Sequence, residues 1–464
     1  MNILMVTIGY PPRQVGGTEV YVFGLVEALK PQGHECSIVY IEPFTQEGGP
    51  EIRVDVDDYL GTRVYVIRVN SIFHKLEFLV FDPVLRGKLL DHFRKLVADL
   101  QPDVVHVHPL QLGFESYLIE MLNRGGHHAI LTYHSTNTSC ARGDLIFMGE
   151  QVCDGRLIHR RCTECLYQWK SVPRPLASTL SRIPLRFYRK AFEHLKPYPA
   201  ARRLRSFTSI PLIVEERFKA WSRATSNANA IVAVCEWVQK TIIKNNVPDE
   251  KVILSRHGLR LAPEPSLRLP PHIPRYGYLG RVSPEKGIQV LIAALEQIPP
   301  ATGYEFEFCS STFDKAGRSR EEEKLVKAIF DLQNRDNRIR VLQNVGDDDL
   351  ASVLARWDAL IVPSLWLESG PQVIYESFAV QTPVIGSRRG GIAELVREGE
   401  TGFLFAPGDA DALAALLIGF AKDPTRLRAL RDHIPPVRTT EHVAADMLRI
   451  YNRLMETAAA DQAL

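Results

Sequence analysis

The chain has 464 residues, of which 45% are hydrophobic and 24% are charged, and its formal net charge is +2. An ordinary apolar fraction with so little net charge excludes a mainly disordered protein, and a chain of this length can fold without disulfides or a metal. No segment approaches the roughly 18 uninterrupted apolar residues of a membrane-spanning helix. Residues 1–8 lack a basic region and predict a strand rather than a signal peptide, so we expect a cytoplasmic protein.

Short apolar runs alternate with helical patterns along the first half of the chain, as in α/β proteins. Residues 2–8 predict the first strand, and the apolar residues of 18–30 recur with the spacing of an amphipathic helix. Further strands are predicted at 36–41, 64–69, 104–107, 130–133 and 231–235. Runs so rich in Val and Ile are typical of a parallel sheet that is covered on both faces.

Five prolines between positions 263 and 274 predict a linker, because proline can neither continue a helix nor donate to a sheet. The α/β pattern then restarts, with strands predicted at 276–279, 306–309, 338–342, 359–363, 383–386 and 403–405, and helices at 287–297 and 443–455. The chain therefore predicts an N-terminal domain over 1–265 and a C-terminal domain over 275–439. A C-terminal helix over 440–464 is expected to pack back on the first domain.

Two glutamates, Glu368 and Glu376, flank a predicted junction between a strand and a helix, with Pro371 near the helix start. A helix start beside Gly370 offers free N–H groups and a positive dipole end to an anion. Carboxylates at two places along such a segment can accept hydrogen bonds from sugar hydroxyls. The spacing alone also fits a solvated loop acid and a helix-face acid.

Two cations, Arg281 and Lys286, lie five residues apart in a turn that joins a predicted strand to the helix starting at Gly287. Arginine offers a planar fork to phosphate oxygens, and lysine offers a point charge. The pattern indicates phosphate binding at this corner, and an exposed basic turn is the alternative.

Taken in order, these motifs resemble the retaining family 4 glycosyltransferases of GT-B fold. The matching segments of the C-terminal half are Gly280-Arg281 with Lys286-Gly287, Glu368-x7-Glu376, Thr382-Pro383-Val384-Ile385, Gly390-Gly391-Ile392-Ala393-Glu394 and Gly402-Phe403-Leu404. Those of the N-terminal half are Gly9-Tyr10-Pro11-Pro12, Gly16-Gly17-Thr18-Glu19 and the segment 102–108. The resemblance covers nearly the whole chain. It implies two Rossmann-like doubly wound domains facing across a cleft, the first binding the acceptor and the second a nucleotide-sugar donor of UDP or GDP type.

The resemblance also implies roles for individual residues. Arg281 and Lys286 would bind the diphosphate, Glu376 the ribose hydroxyls, and Glu368 the hydroxyls of the donor sugar. The remaining donor contacts would come from the backbone around Gly370, Gln372 and Val373, and from Gly16 and Gly17, which permit close approach to the phosphate. Cations and helix dipoles would carry the leaving-group charge, so no catalytic metal is expected.

The chain departs from the family pattern at two places. Ser369-Gly370-Pro371 stands where the family often has a Phe-Gly step, and proline removes one candidate N–H donor. His257-Gly258-Leu259 stands where the family usually has Asn-Gly-Val.

His134 closes the predicted strand at 130–133, where family members place a histidine beside the donor sugar. A neutral imidazole can donate to a sugar hydroxyl or stabilise developing positive charge, so His134 is predicted to be catalytic together with Glu368. A structural histidine at a strand end is the alternative. His106 and His108 are two residues apart on a strand and should face one side of the sheet, where packing could explain them.

Four cysteines follow His134, namely Cys140, Cys153, Cys162 and Cys165, in an insertion over 138–168. Four thiolates ending in Cys-x-x-Cys predict a structural zinc site. An iron–sulfur centre is the alternative.

A basic amphipathic segment over 170–206 follows the insertion, with ten Lys and Arg between Lys170 and Arg205 against one acid, Glu193. Interleaved apolar residues make part of it typical of a segment that binds an anionic membrane surface, and a solvated helix face is the alternative. Nucleic acid is not expected as a partner, because the whole chain is nearly neutral.

These patterns predict a retaining, nucleotide-sugar-dependent hexosyltransferase. Its acceptor would be a polysaccharide or lipid-linked glycan precursor at the inner membrane face. A non-catalytic, zinc-stabilised sugar-nucleotide-binding assembly protein is the main alternative, and an NAD-dependent iron–sulfur oxidoreductase is a weaker one. Asp55-Val-Asp57 resembles the metal–nucleotide motif of the other major glycosyltransferase fold, but it precedes a predicted strand and is interpreted as a surface charge run.

Overall fold

The computed structural model describes residues 1–13, 16–71, 82–110, 113–134, 136, 139–195, 198–260, 273–313, 317–343 and 345–462. The chain forms two compact units. Unit 1 consists of Met1–Arg256 with Val443–Leu464, and unit 2 consists of His257–His442. Most of the predicted proline linker at 263–274 lies outside the described residues.

Unit 1 is built on an eight-stranded mixed sheet and a two-stranded hairpin. The strands of the large sheet are β1 (Asn2–Val6), β2 (Glu35–Phe44), β3 (Ile52–Tyr59), β4 (Thr62–Asn70), β5 (Val104–Val107), β6 (His128–Tyr133), β9 (Ala230–Ala233) and β10 (Val252–Leu254), and the hairpin consists of β7 (Ile146–Phe147) and β8 (Gln151–Val152). Its helices are α1 (Gly17–Leu29), α2 (Pro83–Leu100), α3 (Phe114–Arg124), α4 (His159–Trp169), α5 (Arg174–Leu180), α6 (Leu185–Leu195), α7 (Arg202–Asn227) and α8 (Glu236–Lys244).

Unit 2 has a second, six-stranded sheet. Its strands are β11 (Arg275–Leu279), β12 (Glu305–Cys309), β13 (Ile339–Leu342), β14 (Ala359–Val362), β15 (Val384–Ser387) and β16 (Gly402–Phe405). Its helices are α9 (Ile288–Glu296), α10 (Arg320–Arg335), α11 (Asp347–Ala355), α12 (Gln372–Ala379), α13 (Gly390–Leu395), α14 (Ala410–Lys422) and α15 (Thr425–Leu430). The last helix, α16 (Thr440–Gln462), starts in unit 2 and continues into unit 1.

Both sheets have the strand orders of doubly wound folds. The first runs β10-β9-β6-β5-β1-β2-β4-β3 and is parallel except for β3, and the second runs β13-β12-β11-β14-β15-β16 and is parallel throughout. The register of the central pair in unit 1 sets Asn2 opposite Glu35 and Val6 opposite Val39. The predicted α/β class with two Rossmann-like units is confirmed.

Strand β3 is an addition to the predicted elements. It pairs antiparallel with β4 through a two-residue loop, Leu60-Gly61, in which both φ angles are positive, 52° and 73°. Such a loop has the twist of a tight hairpin. Asp55 and Asp57 do precede the predicted strand, which is β4, but they also lie in a strand that was not predicted.

The two acids of β3 are held by arginines at the surface. Asp55 accepts a hydrogen bond from Arg68 (2.5 Å), and Asp57 accepts one from Arg13 (2.8 Å). Both carboxylates are thus ion-paired, which agrees with the interpretation of a surface charge run.

The side chains of β1 alternate between two hydrophobic layers, as expected for a strand covered on both faces. Leu4 and Val6 join a core with the apolar side chains of α2, α3 and α8, whereas Ile3 and Met5 join a core with α1. Helix α16 closes this second layer with Val443, Ala444, Met447, Ile450 and Tyr451. The last helix therefore completes the core of the first unit.

A helical insertion separates β6 from β9. It contains the β7–β8 hairpin and helices α4 to α7, and it has a small core of its own, made of Leu166, Tyr167, Ala177, Ile210 and Val214. Among the helices that the structure describes, none combines the length and the apolar character needed to cross a membrane.

Candidate active site

The clearest constellation in unit 2 surrounds Glu368, which is 7% exposed. Its Oε1 accepts hydrogen bonds from the Nζ of Lys286 (2.7 Å) and from the hydroxyl of Ser364 (2.9 Å). A carboxylate removed from water in this way needs such partners, since an unpaired buried charge costs several kcal/mol. The structure therefore joins two of the predicted donor-binding residues directly.

Sheet order explains how residues 82 positions apart meet. Strands β11 and β14 are parallel neighbours, so their carboxyl ends lie at the same edge of the sheet. Lys286 follows β11 and Glu368 follows β14, and the backbone N–H of Leu365 donates to the carbonyl of Glu285 (2.9 Å), which ties the two loops together. Ligands of such sheets bind at this edge.

Two glycines allow the loops to approach so closely. Gly287 has a φ of 74°, and a Cβ there would lie 1.9 Å from the carbonyl oxygen of Pro363. A Cβ on Gly391 would lie 2.8 Å from the N of Gly370, and its own N–H donates to the carbonyl of Glu368 (2.7 Å). Because only a hydrogen atom fits at these positions, the glycine motifs at 286–287 and 390–391 hold the acidic loop in place.

The other predicted donor residues lie around this centre. Arg281 follows β11, and its side chain is exposed and forms no ion pair within the described chain. Gln372 and Val373 begin α12, and Glu376 lies one turn further along that helix, half-buried. The start of α12 thus presents backbone N–H groups near a loop that already carries a lysine and a glutamate.

His257 is a site residue that the sequence patterns did not single out. Its Nδ1 is 3.1 Å from the carbonyl oxygen of Gly370, whose φ is 138°. Burial lowers the pKa of His257 to about 4, so the imidazole is neutral near pH 7 and donates its Nδ1–H to that carbonyl. The sequence feature that could have revealed His257 is the departure from the family's Asn-Gly-Val, because a histidine there can donate a hydrogen bond as an asparagine can.

In unit 1, His134 directly follows β6 and is 6% exposed. A hydrogen bond joins its Nε2 to the Nδ1 of His108 (2.8 Å), which follows β5, and the ring of Tyr21 from α1 lies 4.7 Å away from the ring of His134. The structure therefore pairs the predicted catalytic histidine with a second histidine on the neighbouring strand.

His106 extends this group into the core. Its ring stacks on His108 (4.4 Å between centroids), and its nitrogens are joined to Tyr451 Oη (2.7 Å) and Thr132 Oγ1 (2.6 Å). Burial lowers the pKa of His106 to about 3, and burial together with the neighbouring histidines lowers the pKa of His108 well below its ordinary value. Both rings are therefore neutral, and besides packing in the core they form hydrogen bonds, His108 with His134 and His106 with Tyr451 and Thr132.

Gly16 and Gly17 lie at the start of α1, where the carbonyl of Gly16 accepts from Val20 (2.9 Å). A Cβ on Gly17 would meet nothing within 4 Å, and one on Gly16 would meet the flexible carboxylate of Glu19. Packing inside the described protein therefore does not require either glycine, in contrast to Gly287 and Gly391.

The four cysteines of the insertion do not support the zinc prediction. Cys140, Cys153, Cys162 and Cys165 are free thiols, and the residues described in the structure include no group of three or more His, Cys, Asp or Glu side chains arranged to hold a metal. Cys165 Sγ instead accepts the backbone N–H of Met148 (3.2 Å). Burial, with a smaller contribution from the thiols of Cys140 and Cys153, raises the pKa of Cys162 to about 11. The iron–sulfur alternative needs the same ligands and has no better support.

Comparison with known proteins agrees with this description. A family model described as Glycosyltransferase Family 4 matches residues 15–262, and one described as Glycosyl transferases group 1 matches residues 265–434. A D-inositol 3-phosphate glycosyltransferase of Corynebacterium efficiens is 33% identical over 201 residues, which are 41% of this chain and 46% of that protein. The match thus spans about half the length of that relative.

Solved structures show the same fold. Sucrose-phosphate synthase from Thermosynechococcus elongatus aligns over 98% of this chain and 99% of its own, with a TM-score of 0.64 and 19% identity. HepE from Anabaena, solved in complex with UDP-glucose, aligns over 99% of this chain and 100% of its own, with a TM-score of 0.57 and 16% identity. The two family models match nearly the whole chain, and the two doubly wound units and the Lys286–Glu368 pair agree with them. The chain therefore belongs to the family 4 glycosyltransferases of GT-B fold.

Proposed function

We propose that the chain is a retaining hexosyltransferase that moves a sugar from a nucleoside-diphosphate sugar to a glycan acceptor, either a polysaccharide or a lipid-linked precursor. The observation that carries the proposal is the buried carboxylate of Glu368, held by Lys286 and Ser364 beside the start of α12. A cation, a carboxylate and free helix N–H groups in one place suit a ligand that combines a diphosphate with a sugar.

Each of these groups would bind the part of the donor that suits its charge. The exposed guanidinium of Arg281 and the ammonium of Lys286 would bind the diphosphate, Glu376 the ribose, and Glu368 the sugar hydroxyls. HepE of Anabaena, which has the same fold, was solved with UDP-glucose, which supports a donor of this class. The positive groups would stabilise the departing diphosphate, so the reaction would proceed without a catalytic metal.

Transfer would occur on the face of the sugar from which the diphosphate leaves. The acceptor hydroxyl oxygen forms the new bond to the anomeric carbon, the bond from that carbon to the phosphate oxygen breaks, and the hydroxyl proton passes to the departing phosphate. His134 would donate a hydrogen bond to the donor sugar, with His108 fixing its ring.

The relatives give a direction for the acceptor. The Corynebacterium protein is named as acting on an inositol phosphate, and the sucrose-phosphate synthase by name makes a phosphorylated disaccharide. We therefore propose that the acceptor hydroxyl belongs to a sugar or cyclitol unit of the glycan. The alternative of a non-catalytic, zinc-stabilised assembly protein has no support from the comparisons or from the described cysteines.

Thermal-shift screening against UDP-, GDP- and ADP-sugars tests the donor proposal, because a ligand at 100 times its dissociation constant stabilises the folded state by about 2.7 kcal/mol. We expect one nucleotide series to raise the melting temperature, and we expect NMR of the product to show the anomeric configuration of the donor. No shift with any nucleotide sugar would overturn the proposal, and an inverted product would overturn the retaining mechanism. Donor binding with neither hydrolysis nor transfer would favour the assembly protein.

A further inference from the structure

We propose that the helical insertion of unit 1 binds the surface of an anionic lipid bilayer. The surface concerned, called the insertion surface, is formed by the exposed side chains between Trp169 and Leu204, on α4, α5, α6 and the start of α7 and in the described residues between these helices. The proposal goes beyond sugar transfer and does not depend on the donor site.

Exposed apolar side chains are concentrated on the insertion surface. Six of the thirteen large hydrophobic residues that are exposed in the described chain fall in this short stretch, namely Trp169, Leu176, Ile183, Phe187, Tyr198 and Leu204. These six include all the exposed aromatic ones, with Trp169, Phe187 and Tyr198 each more than half exposed. Aromatic rings of this kind favour the boundary between lipid headgroups and acyl chains.

The cations of the insertion surface are largely uncompensated. Arg182, Lys190, Arg202 and Arg203 are exposed and form no ion pair with any residue that the structure describes. By contrast, Arg174 is paired with Glu150 (2.6 Å) and Arg189 with Glu215 (2.9 Å). Positive charge that the protein does not neutralise itself is available to lipid phosphates.

Helix α6 arranges both kinds of side chain on one preformed face. Its inner side packs on the rest of the insertion through Tyr188, which is 5% exposed and whose hydroxyl donates to the carbonyl of Leu180 (2.9 Å). Arg186 and Lys190 lie one turn apart on the opposite side, and Phe187 beside them is exposed. The guanidinium of Arg186 lies 5.0 Å from the ring of Phe187. This is the composition of a helix that lies in a membrane interface.

The apolar residues decide between a bilayer and a soluble polyanion. A nucleic acid or an acidic glycan would use the cations but would leave Trp169, Ile183 and Phe187 in water. A bilayer accepts both, because apolar side chains enter its headgroup region by about 5–10 Å while cations meet the phosphates. The combination therefore favours lipid.

Co-sedimentation of the full-length protein with vesicles tests the proposal. We expect binding to phosphatidylcholine vesicles containing 30% phosphatidylglycerol at low salt, weaker binding at high salt, and little binding to pure phosphatidylcholine. The variant Arg182→Gln/Arg186→Gln/Lys190→Gln/Arg203→Gln should lower the partition coefficient at least about tenfold, since each near-surface cation contributes about fivefold. Its matched control, Arg320→Gln/Lys324→Gln/Lys327→Gln/Arg340→Gln on and after α10, changes the charge equally and should bind like the wild type.

A second variant, Trp169→Ser/Phe187→Ser, separates lipid from polyanion. It should bind anionic vesicles several-fold more weakly and be retained on a heparin column like the wild type. Equal vesicle binding by the wild type and the quadruple variant of Arg182, Arg186, Lys190 and Arg203 would overturn the proposal, and so would an equal loss in the α10 control. Retention on heparin without any vesicle binding would overturn it in favour of a polyanionic partner. None of these measurements involves sugar transfer, so their failure leaves the donor site unaffected.

Discussion

Replacing Glu368 by glutamine should separate sugar handling from nucleotide binding. In the structure, the Nζ of Lys286 lies 2.7 Å from the Glu368 carboxylate, so this carboxylate competes with a diphosphate for the positive charge of the lysine. At an effective dielectric constant of about 20, two unit charges at that distance attract by about 6 kcal/mol. Desolvation cancels most of this, and a net competition of about 1–2 kcal/mol remains.

Glu368→Gln keeps the shape and can still accept from Ser364, but it releases the lysine. We therefore expect a free nucleoside diphosphate to bind as tightly as in the wild type or up to about tenfold more tightly, which corresponds to about 1.4 kcal/mol. Turnover should fall, because the sugar hydroxyls lose a charged acceptor. Lys286→Ala should instead weaken nucleotide binding by about 1.5–3 kcal/mol, the usual size of a charge-assisted hydrogen bond.

Isothermal titration of the wild type, both single variants and the double variant measures the coupling between the two side chains. Lys286→Ala should cost more affinity in the Glu368→Gln background than in the wild type, because the lysine there is no longer shared. Equal losses of nucleotide affinity in the two single variants would refute the reasoning, as would a coupling energy of zero.

Three further predictions concern neighbouring side chains. Glu376→Gln should weaken nucleoside-diphosphate binding about tenfold or more, since a charged acceptor for hydroxyls contributes about 1.5–3 kcal/mol; titration calorimetry checks this, and unchanged affinity would exclude a ribose contact. His108→Phe removes the hydrogen-bond partner of His134, and we expect kcat to fall about 5- to 150-fold, which corresponds to about 1–3 kcal/mol. Titration should show unaltered nucleotide affinity. An unchanged kcat would mean that this bond has no role in turnover. Because the folded-state pKa of His257 is about 4, below the ordinary value of 6.5, the unfolded chain binds the extra proton, and stability present above pH 6.5 is lost as the pH falls towards 4. His257→Asn, whose amide can still donate to Gly370, should lose about 2 kcal/mol less than the wild type between pH 7 and pH 5 in urea unfolding, and an equal loss in both proteins would contradict the linkage.

The sequence patterns were sufficient for the fold because strands buried on both faces are short, mainly apolar runs, as at 104–107 and 359–362. They failed at β3, where Ile52, Val54 and Val56 alternate with charged residues. The alternation is that of a half-exposed strand, but the acids were interpreted only as a surface charge run.

The individual donor-binding residues were predicted from the sequence, but the contacts between them were not. Arg281, Lys286, Glu368 and Glu376 stand in motifs that can be read along the chain, but the Lys286–Glu368 bond depends on β11 and β14 being neighbours, with β12 and β13 on the other side. The bond between His108 and His134 depends in the same way on the adjacency of β5 and β6. Cysteine spacing predicts which thiols can come near one another but not whether they take the arrangement of a metal site, and the described residues include no such arrangement.

Helix α16 has a consequence for how the protein is synthesised. Met447 and Tyr451 complete the same hydrophobic layer as Ile3 and Met5, and Tyr451 is also joined to His106. The ribosome synthesises Ile3 and Met5 early and Met447 and Tyr451 late, with the whole of unit 2 in between. At about 5–20 residues per second, the nascent first unit waits for some ten seconds or more with this apolar face uncovered. The first unit therefore reaches its native state only after α16 has been made, and until then this apolar face is exposed to water or to other proteins.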